Sequence, residues 1–527
     1  MSGLPLMPNR DRIRKHSTVK FGGLDHNKSA ADGAIYDMRN MTSDDYPLLS
    51  SRKGRYKVRS VSSPHGIFAH DGLYYVDGTR LKLMTSSADA TIGYVSDTDK
   101  VFAAMGSYLI IFPDKKYYNR DTGVFGDLFA TYTGSAGVTS GTYAGERAEN
   151  NTVVFYDSSP MLTSKFKVGD SVTVKASGHD DVIAVIREMT NSKLVFYENT
   201  FPFNVSQTVV TVSRDVPDLD YICTNENRLW GCKGDRIYAS KLGDPFNWNV
   251  FDGISTDSFQ VDVGSAGDFT ACYSYRGYPC FFKEDYIYKV YGSKPANFQV
   301  MASASLGVKD GAAKSLAVAG EVLFYLSRAG VMAYSGGIPQ NISDALGDVE
   351  LTNTVAGSDG RKYYLSATDK NEGTSRAYVY DTEPNLWHVE TIPALVGMAW
   401  HNGLYYLTSG GQIWRITGDA TTADIKEGVI SSFVEFGDFV EGDPNRKGVS
   451  KLQLRVELDD GAKLTVEAMF DSSGIWEEVK VLETPRKRSF YLPITPRRCD
   501  HYKIRLSGEG AWTLYSLVRE SYSGSEI

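Results

Sequence analysis

Two nearly identical hairpin sequences decide the fold: "HDGLYYVDG" (His70–Gly78) and "HNGLYYLTSG" (His401–Gly410), near opposite ends of a chain of 527 residues. Each begins with a turn containing Gly and continues into an alternating strand rich in Tyr, which is a strong short-range hairpin signal. Neither copy carries a Cys, a charge cluster or a catalytic group. The recurrence therefore indicates a repeated structural unit.

Further copies of this unit lie between the two. Each contains three short strands, and several are followed by a fourth segment that carries an aromatic, such as "DPFNWNVF" (244–251) and "EPNLWHVE" (383–390). The additional copies begin at Val101, Asp220, Phe269, Ser315 and Asn353. Four antiparallel strands repeated about every 35 to 45 residues are typical of a β-propeller. A two-layer sandwich is the rival, but its strands do not usually recur as one unit.

The sequence thus predicts an all-β fold with a β-propeller of about seven four-stranded blades, over residues 61–128 and 217–425. A terminal blade that borrows a strand from the other end of the chain would change the count by one. Tandem tyrosines recur at one point of the unit, and neighbours in a strand face opposite sides of a sheet. We therefore predict that these pairs are buried between blades, and that the recurring tryptophans pack there too, with sugar binding as the alternative. The tyrosine pairs are Tyr74–Tyr75, Tyr363–Tyr364 and Tyr405–Tyr406, and the tryptophans are Trp230, Trp248, Trp387, Trp400 and Trp414.

Three segments depart from the repeat. Residues 1–60 are polar and predict an extended N-terminal arm that adds strands to the propeller or to a neighbour, "AIYDMRNM" (34–41) being one such strand. Residues 129–216 have alternating strands at closer spacing and predict an inserted, barrel-like β-domain. Its Gly-, Ser- and Thr-rich start (131–147) suggests a flexible hinge. Residues 426–527 have longer, cleanly alternating strands and predict a C-terminal β-sandwich.

Charge and cysteine content narrow the function classes. The formal net charge of −8 is spread along the chain, without a large basic block. "NRDRIRK" (Asn9–Lys15), "PRKRSF" (485–490) and "PRRCD" (496–500) are interpreted as solvated surface, with contact to DNA or to an acidic neighbour as the alternative. The five Cys match no zinc spacing, and Cys223 and Cys232 are predicted to be buried thiols of one hairpin. Buried thiols fit a protein made in a reducing cytoplasm, and no signal core or membrane-spanning run is evident.

Catalytic motifs are missing from the sequence: it contains no HExxH, GxSxG or GxxxxGK[ST] pattern. Adjacent carboxylates are more typical of turn caps than of a pair flanking one bond, because neighbours in a strand point apart. Asp471 lies in a loop that offers too few oxygens for calcium. We predict no catalytic, cofactor-binding or metal-binding residue, and hence a protein that is not an enzyme. The adjacent carboxylates are Asp44–Asp45, Asp180–Asp181 and Asp459–Asp460.

A family resemblance adds a functional expectation. "FGGLDH" (21–26), "DGAIYDMRNMTSDDYPLLSSR" (32–52), "NRLWGCKGDRIYASKLGDPFNWNVF" (227–251) and "FFKEDYIYKVYG" (281–292) resemble virion structural proteins of the nozzle or tail-tubular type, from tailed phages of Gram-positive bacteria. The resemblance covers residues 18–417, and the C-terminal sandwich departs from it.

This resemblance implies a scaffold ring or adaptor in the neck, nozzle or tail of a bacteriophage. Its partners would be portal, adaptor or tail proteins and further copies of itself, with passing contact to genomic DNA and none to a membrane. It would be made in the host cytoplasm and reside in the virion. Because the family has no catalytic motif, no functional residue transfers.

Two other functions remain open from the sequence. One is a host-surface adhesin that binds carbohydrate through the C-terminal sandwich, with Trp476 as an exposed aromatic. The other is a propeller enzyme that cleaves glycans with carboxylates gathered from distant blades.

Overall fold

The regular secondary structure of the described residues is almost entirely β-strand. A computed structural model describes residues 13–523 except 28–32, 87, 142–149, 198–199, 420, 422–423 and 443–445. Within these residues each helical segment is a single 3₁₀ turn, at Leu162–Ser164, Pro295–Asn297, Ala313–Ser315 and Asp344–Leu346. None of them is long and apolar enough to cross a membrane. The chain divides into two compact units, one formed by Phe68–Ala313 and the other by Met1–Ile67 together with Lys314–Ile527.

The N-terminal arm contributes five strands to the unit that contains both chain ends. They are β1 (Ile13–Thr18), β2 (Ile35–Arg39), β3 (Met41–Thr42), β4 (Leu49–Ser51) and β5 (Tyr56–Ser60). The predicted strand in "AIYDMRNM" is thus present, as β2 and the start of β3.

The unit of residues 68–313 contains four four-stranded antiparallel sheets, and the unit boundary falls within the first strand of the first sheet. In each sheet every strand pairs with the next strand along the chain. The first two sheets comprise β6 (Pro64–Ala69), β7 (Leu73–Asp77), β8 (Arg80–Leu83) and β9 (Ala90–Tyr94), then β10 (Val101–Met105), β11 (Tyr108–Phe112), β12 (Lys116–Asn119) and β13 (Val124–Asp127).

A closed six-stranded barrel interrupts this series. Its strands are β14 (Ala130–Thr139), β15 (Thr152–Phe155), β16 (Ser171–Ala176), β17 (Val182–Met189), β18 (Lys193–Phe196) and β19 (Val205–Arg214), joined in the order β14-β15-β18-β17-β16-β19. The barrel has its own apolar core, and it occupies the range predicted for the inserted domain.

The predicted hinge at the start of this domain is wrong. Residues 130–139 form β14, the longest barrel strand together with β19, while residues 142–147 of the predicted hinge lie outside the described residues. An added Cβ would come within 1.9 Å of the Asp157 carboxylate at Gly134 and within 2.3 Å of the Tyr156 hydroxyl at Gly137. These glycines therefore permit close packing against a strand. A Gly-rich composition fits such a strand as well as it fits a flexible hinge, so composition alone does not separate the two.

The other two sheets of this unit follow the barrel. They comprise β20 (Tyr221–Asn225), β21 (Arg228–Lys233), β22 (Arg236–Ala239) and β23 (Phe259–Asp262), then β24 (Ala271–Tyr275), β25 (Tyr278–Phe282), β26 (Tyr286–Tyr291) and β27 (Gln299–Ala304). Consecutive sheets of the unit pack through shared apolar clusters. Tyr74 of the first sheet joins Leu109 and Ile111 of the second, and Trp230 of the third joins Phe281 of the fourth.

The unit of both chain ends continues the same pattern. Its sheets comprise β28 (Ala317–Ala319), β29 (Val322–Ser327), β30 (Gly330–Tyr334) and β31 (Gln340–Asn341), β32 (Leu351–Ser358), β33 (Lys362–Asp369), β34 (Ser375–Asp381) and β35 (Leu386–Thr391), then β36 (Leu395–Trp400), β37 (Leu404–Thr408), β38 (Gln412–Arg415) and β39 (Ile425–Lys426). The last sheet has the order β36-β37-β38-β5-β39. The arm strand β5 thus completes a sheet at the far end of the chain, as the strand-borrowing alternative anticipated.

The C-terminal region forms two sheets of longer strands. These are β40 (Ser431–Phe436), β41 (Lys447–Leu458), β42 (Lys463–Phe470), β43 (Glu477–Leu482), β44 (Arg488–Cys499), β45 (Tyr502–Glu509) and β46 (Trp512–Ser523). One sheet has the order β43-β42-β45-β40 and the other β44-β41-β46. Trp512 of the second sheet donates its indole N–H to the Ser432 hydroxyl of the first at 2.8 Å, so the two sheets face each other.

The sandwich also incorporates the arm, which the prediction of a separate domain at 426–527 did not include. Strand β2 pairs with β40 in one sheet, whereas β1 and β4 pair with β46 in the other. An unpaired β46 edge would leave its backbone N–H and C=O groups without ladder partners, and the arm strands supply them. The arm therefore contributes four strands to the sandwich and one strand to the five-stranded sheet β36-β37-β38-β5-β39.

The prediction for the tandem tyrosines is confirmed. All six rings are buried, and each pair lies on the second strand of its sheet. Tyr363 stacks on Phe324 of the preceding sheet with ring centroids 5.1 Å apart, whereas Tyr364 shares a cluster with Tyr406 of the following sheet. Adjacent residues of one strand thus fill the spaces on both sides of the sheet.

Candidate functional site

The candidate site is a cleft of about 1020 Å3 within the unit that contains both chain ends. Four parts of this unit line it: arm residues between Thr42 and Tyr56, the sheet β32–β35, the segment that leads from β38 into the sandwich, and two sandwich turns that contribute Asp459, Gly510 and Ala511. Clefts of this size with convergent polar groups are the usual location of binding and catalytic sites. The pairing of its charged groups decides which of these functions the cleft can perform.

The first cluster of charged side chains in the cleft joins the arm to β35 and to the segment after β39. Arg52 donates two hydrogen bonds to the Glu427 carboxylate, at 2.7 and 2.8 Å, and Arg55 forms an ion pair with Glu390. The Arg55 backbone N–H also donates to Glu427 at 3.0 Å. Burial alone would raise the pKa of Glu427, but hydrogen bonds and charge from Arg52, reinforced by Arg55, hold it below its usual range.

The second cluster of charged side chains joins the arm to the sheet that contains β33–β35. Lys362 donates to the Asp44 carboxylate at 2.5 Å and to the Thr42 hydroxyl at 3.0 Å. Burial opposes ionisation of Asp44, yet the Lys362 ammonium lowers the pKa of this carboxyl. Nearby, Asp381 accepts two hydrogen bonds from Arg361, at 2.9 and 2.6 Å, and one from Ser43 at 2.5 Å.

A buried histidine lies beside this second cluster. Burial and, to a smaller extent, the Lys362 ammonium lower the pKa of His388 to about 4, against the opposing effect of the Asp381 and Asp44 carboxylates. Its Nδ1 is buried without a hydrogen-bond partner among the described residues. The imidazole is therefore neutral at pH 7 and does not compete with Lys362 for the carboxylates.

Three carboxylates of the cleft, Asp44, Glu390 and Glu427, are unsuited to act as the general acid of glycan hydrolysis. Hydrolysis by paired carboxyl groups needs one that stays protonated near neutral pH as the general acid. Asp44 and Glu427 have lowered pKa values, and Glu390 is held by Arg55. These carboxylates neutralise buried cations, so they serve to join the arm to the sheets around the cleft.

The adjacent carboxylates singled out from the sequence lie at turns. Asp45 accepts from Ser50 at 2.8 Å, and Asp181 pairs with Lys175 at 2.7 Å across the turn between β16 and β17. Asp459 lies in the turn after β41, where its carbonyl accepts from the Ala462 N–H. Asp44 and Asp459 also line the cleft, which the sequence did not indicate.

Asp471 lies close to Asp500 and His501 at one end of the sandwich. One ligand atom from each of the three residues lies within 4.8 Å of the others. Three ligand atoms are fewer than the six to eight oxygens that calcium takes.

Most of the recurring tryptophans pack between sheets, as predicted. Trp230, Trp248 and Trp387 are 2–3 % exposed, and the Trp414 ring stacks parallel to Tyr406. Trp400 is the exception, because half of its side chain (51 %) is exposed at the end of β36.

Trp476 of the sandwich is half-buried, and the Arg505 guanidinium lies 3.9 Å from its ring centroid. One face of this aromatic is therefore already covered.

All five cysteines are buried, four of them close together and Cys499 on β44 of the sandwich, and the prediction for Cys223 and Cys232 is confirmed. These two residues lie on the paired strands β20 and β21, close to Cys272 and Cys280 on β24 and β25. A hydrogen bond with Cys272, together with burial, raises the pKa of Cys223 well above the usual thiol value. The Cys223 thiol is consequently neutral at physiological pH and a poor nucleophile.

The sequence did not reveal the residues that line the cleft. Arg52 and Arg55 lie in the polar stretch "SSRKGRY", which looks solvent-exposed, yet they are 6 % and 2 % exposed. Their partners Glu390 and Glu427 lie more than 330 positions away. No pairing of these charges follows from one sequence.

Comparisons with known proteins add resemblances of shape alone. No protein-family profile and no curated protein sequence matches the chain. Among solved structures, it is similar to the β-propeller domain of the Trilobed protease from Pyrococcus furiosus (10% identity, 71% of this chain and 95% of that one, TM-score 0.24). It is also similar to dipeptidyl peptidase 4 from Porphyromonas gingivalis (11% identity, 80% and 60%, TM-score 0.28). A third is the exo-β-1,3-galactanase from Phanerochaete chrysosporium (10% identity, 56% and 94%, TM-score 0.21).

Proposed function

We propose that the chain is a structural component of a tailed-phage virion, in its neck, nozzle or tail, and acts through protein–protein contacts. The sequence resemblance of residues 18–417 supplies the class of particle. The observation that carries the proposal is the pairing of the arm: its strands pair with β40 and β46 in the two sandwich sheets and with β38 in the sheet that contains β36–β39. Strand pairing of one segment with three sheets restricts their relative motion, which suits a rigid scaffold.

The proposal includes a closed propeller of seven blades. Six sheets have four strands in chain order among the described residues, and a seventh gains β5 as its fourth strand. Pairing of an N-terminal strand with the last blade is an effective closure for such a ring, because it leaves only short, protected edges. The ring would present its loops and the inserted barrel to neighbouring subunits.

The state of the cleft favours a scaffold over an enzyme. Three of its carboxylates, Asp44, Glu390 and Glu427, are paired with cations of the arm and of β33, so their charge is used for internal cohesion. The adhesin alternative receives less support, since Arg505 covers one face of Trp476.

The direct test is the composition of purified particles. Tailed particles that carry this gene would be banded in a density gradient, washed and analysed by quantitative mass spectrometry. We expect several copies of the chain per portal ring, retained after a wash with high salt. Its recovery only in the particle-free supernatant would contradict the proposal.

A companion measurement separates scaffold from enzyme. The purified full chain would be incubated with host cell-wall polysaccharide, and reducing ends would be assayed against a Glu390→Gln variant. We expect equal background values for both. Sugar release that the substitution abolishes would contradict a purely structural role.

A further inference from the structure

A basic face on the C-terminal sandwich is not explained by the scaffold function. It lies on the solvent side of the sheet β44-β41-β46, and we define it by Lys451, Arg455, Lys487, Tyr491 and Tyr515. The segment "PRKRSF" contributes Lys487, so the sequence motif that composition singled out belongs to this face. The chain as a whole is acidic, with a formal net charge of −8.

The cations of the basic face follow one strand. Lys451 and Arg455 are four residues apart on the solvent side of β41, which corresponds to about 13 Å. Arg488 pairs with Val456, so Lys487 lies beyond Arg455 in the same direction. The three cations therefore form a row about 20 Å long, a shape suited to a linear polyanion.

The cations are not neutralised by carboxylates. Among the described residues, Lys451, Arg455 and Lys487 form no ion pair, and each lies instead over a tyrosine ring. Lys451 lies 4.7 Å from the ring centroid of Tyr491, and Lys487 lies 3.5 Å from that of Tyr515.

Two carboxylates of the same sheet already have partners. Glu457 accepts a hydrogen bond from the Tyr515 hydroxyl at 2.6 Å, and Glu520 pairs with Lys15 of β1 at 2.9 Å. Glu457 keeps its negative charge, but together with Lys15 the three cations outnumber Glu457 and Glu520, so this side of the sheet is positive on balance.

The aromatic rings select among polyanions. Tyr491 is 60 % exposed, with a cation beside its ring. Single-stranded nucleic acid offers unpaired bases that stack on such a ring while cations follow its phosphates. A duplex has no unpaired base to offer, and an acidic polypeptide has no regularly spaced flat ring. We propose that the basic face binds single-stranded nucleic acid.

The test measures binding of the full chain to a fluorescein-labelled oligothymidylate of about 20 nucleotides by fluorescence anisotropy. Salt would be varied between about 50 and 200 mM. The logarithm of the binding constant falls linearly with the logarithm of the salt concentration, and each phosphate contact contributes about 0.7 to this slope for single strands. The variant Arg455→Gln/Lys487→Gln should bind at least about tenfold more weakly. Because it removes two phosphate contacts, the magnitude of its salt slope should be smaller by about 1.4. The matched control Lys463→Gln/Lys480→Gln removes the same charge from exposed positions on the other sheet and should bind as the wild type does.

Stacking is tested separately. Tyr491→Ala should weaken binding about tenfold without changing the salt slope, and Tyr491→Phe should retain it. Four results would overturn the proposal: no saturable binding by the wild type, equal losses in the control variant, no effect of Tyr491→Ala, or duplex binding as tight as single-strand binding. Competition by polyglutamate as effective as by unlabelled oligothymidylate would also overturn it, since it would indicate an acidic protein partner.

Discussion

Acid should destabilise the chain through one buried histidine, His388. Its pKa is about 4 in the folded chain, below the ordinary value of 6.5, because of burial and the nearby Lys362 ammonium. Above pH 6.5 the imidazole is neutral in both states and contributes nothing. As pH falls below 6.5 the unfolded chain binds a proton that the folded chain excludes, so stability falls until about pH 4.

The size of this effect follows from the two pKa values. Each pKa unit corresponds to about 1.4 kcal/mol, so the full loss below pH 4 is about 3 kcal/mol. Between pH 7.5 and pH 5 the loss is about 2 kcal/mol. Replacement by a neutral amide in His388→Gln removes the proton-binding group, and it should remove this part of the pH dependence.

The assay is urea-induced unfolding at pH 7.5 and pH 5, followed by tryptophan fluorescence with the buried Trp387 as the adjacent reporter. The free energy of unfolding of the wild type should fall by about 2 kcal/mol more than that of His388→Gln over this range. Equal falls for the two proteins would refute the reasoning, since His388 would then titrate alike in the folded and unfolded chains.

Three other predictions follow from the packing. Tyr364→Ala should lower the free energy of unfolding by about 3–5 kcal/mol, because the Tyr364 ring lies between two sheets. The control Trp400→Ala should lower it much less, because Trp400 is half-exposed. Equal losses in urea titrations would contradict this prediction. Arg55→Met should cost about 3–5 kcal/mol, because it leaves the buried Glu390 with only the 3.8 Å contact to Arg52, and adding Glu390→Gln should restore most of the loss. A double variant no more stable than the single one would count against a buried ion pair. The five buried thiols should react with Ellman's reagent only after unfolding in urea, and rapid reaction of the native chain would argue against their burial.

Local sequence patterns identified the repeated sheets. The tandem tyrosines such as Tyr363–Tyr364 recur at one position of an alternating strand, and such a strand needs an apolar neighbour on each face. Their burial therefore followed from the pattern itself. The barrel and the sandwich strands were recognisable for the same reason, since period-two alternation is a local property.

Long-range pairing could not be inferred in the same way. The arm is polar and irregular, and its strands are formed by partners such as β40 and β46, which lie about 400 or more residues away. The ion pairs Arg52–Glu427 and Lys362–Asp44 likewise join distant segments. A single sequence indicates that these residues are charged, but the choice of partner is made by tertiary packing.

The central claim is that this chain builds a part of a tailed phage particle, and electron cryomicroscopy of that particle tests it most directly. We predict density for several copies around the tail axis at the neck, nozzle or tail, each with a closed seven-bladed propeller, an inserted barrel and a sandwich that includes the arm. A particle map in which every protein of the neck and tail is assigned and none fits this chain would contradict the claim.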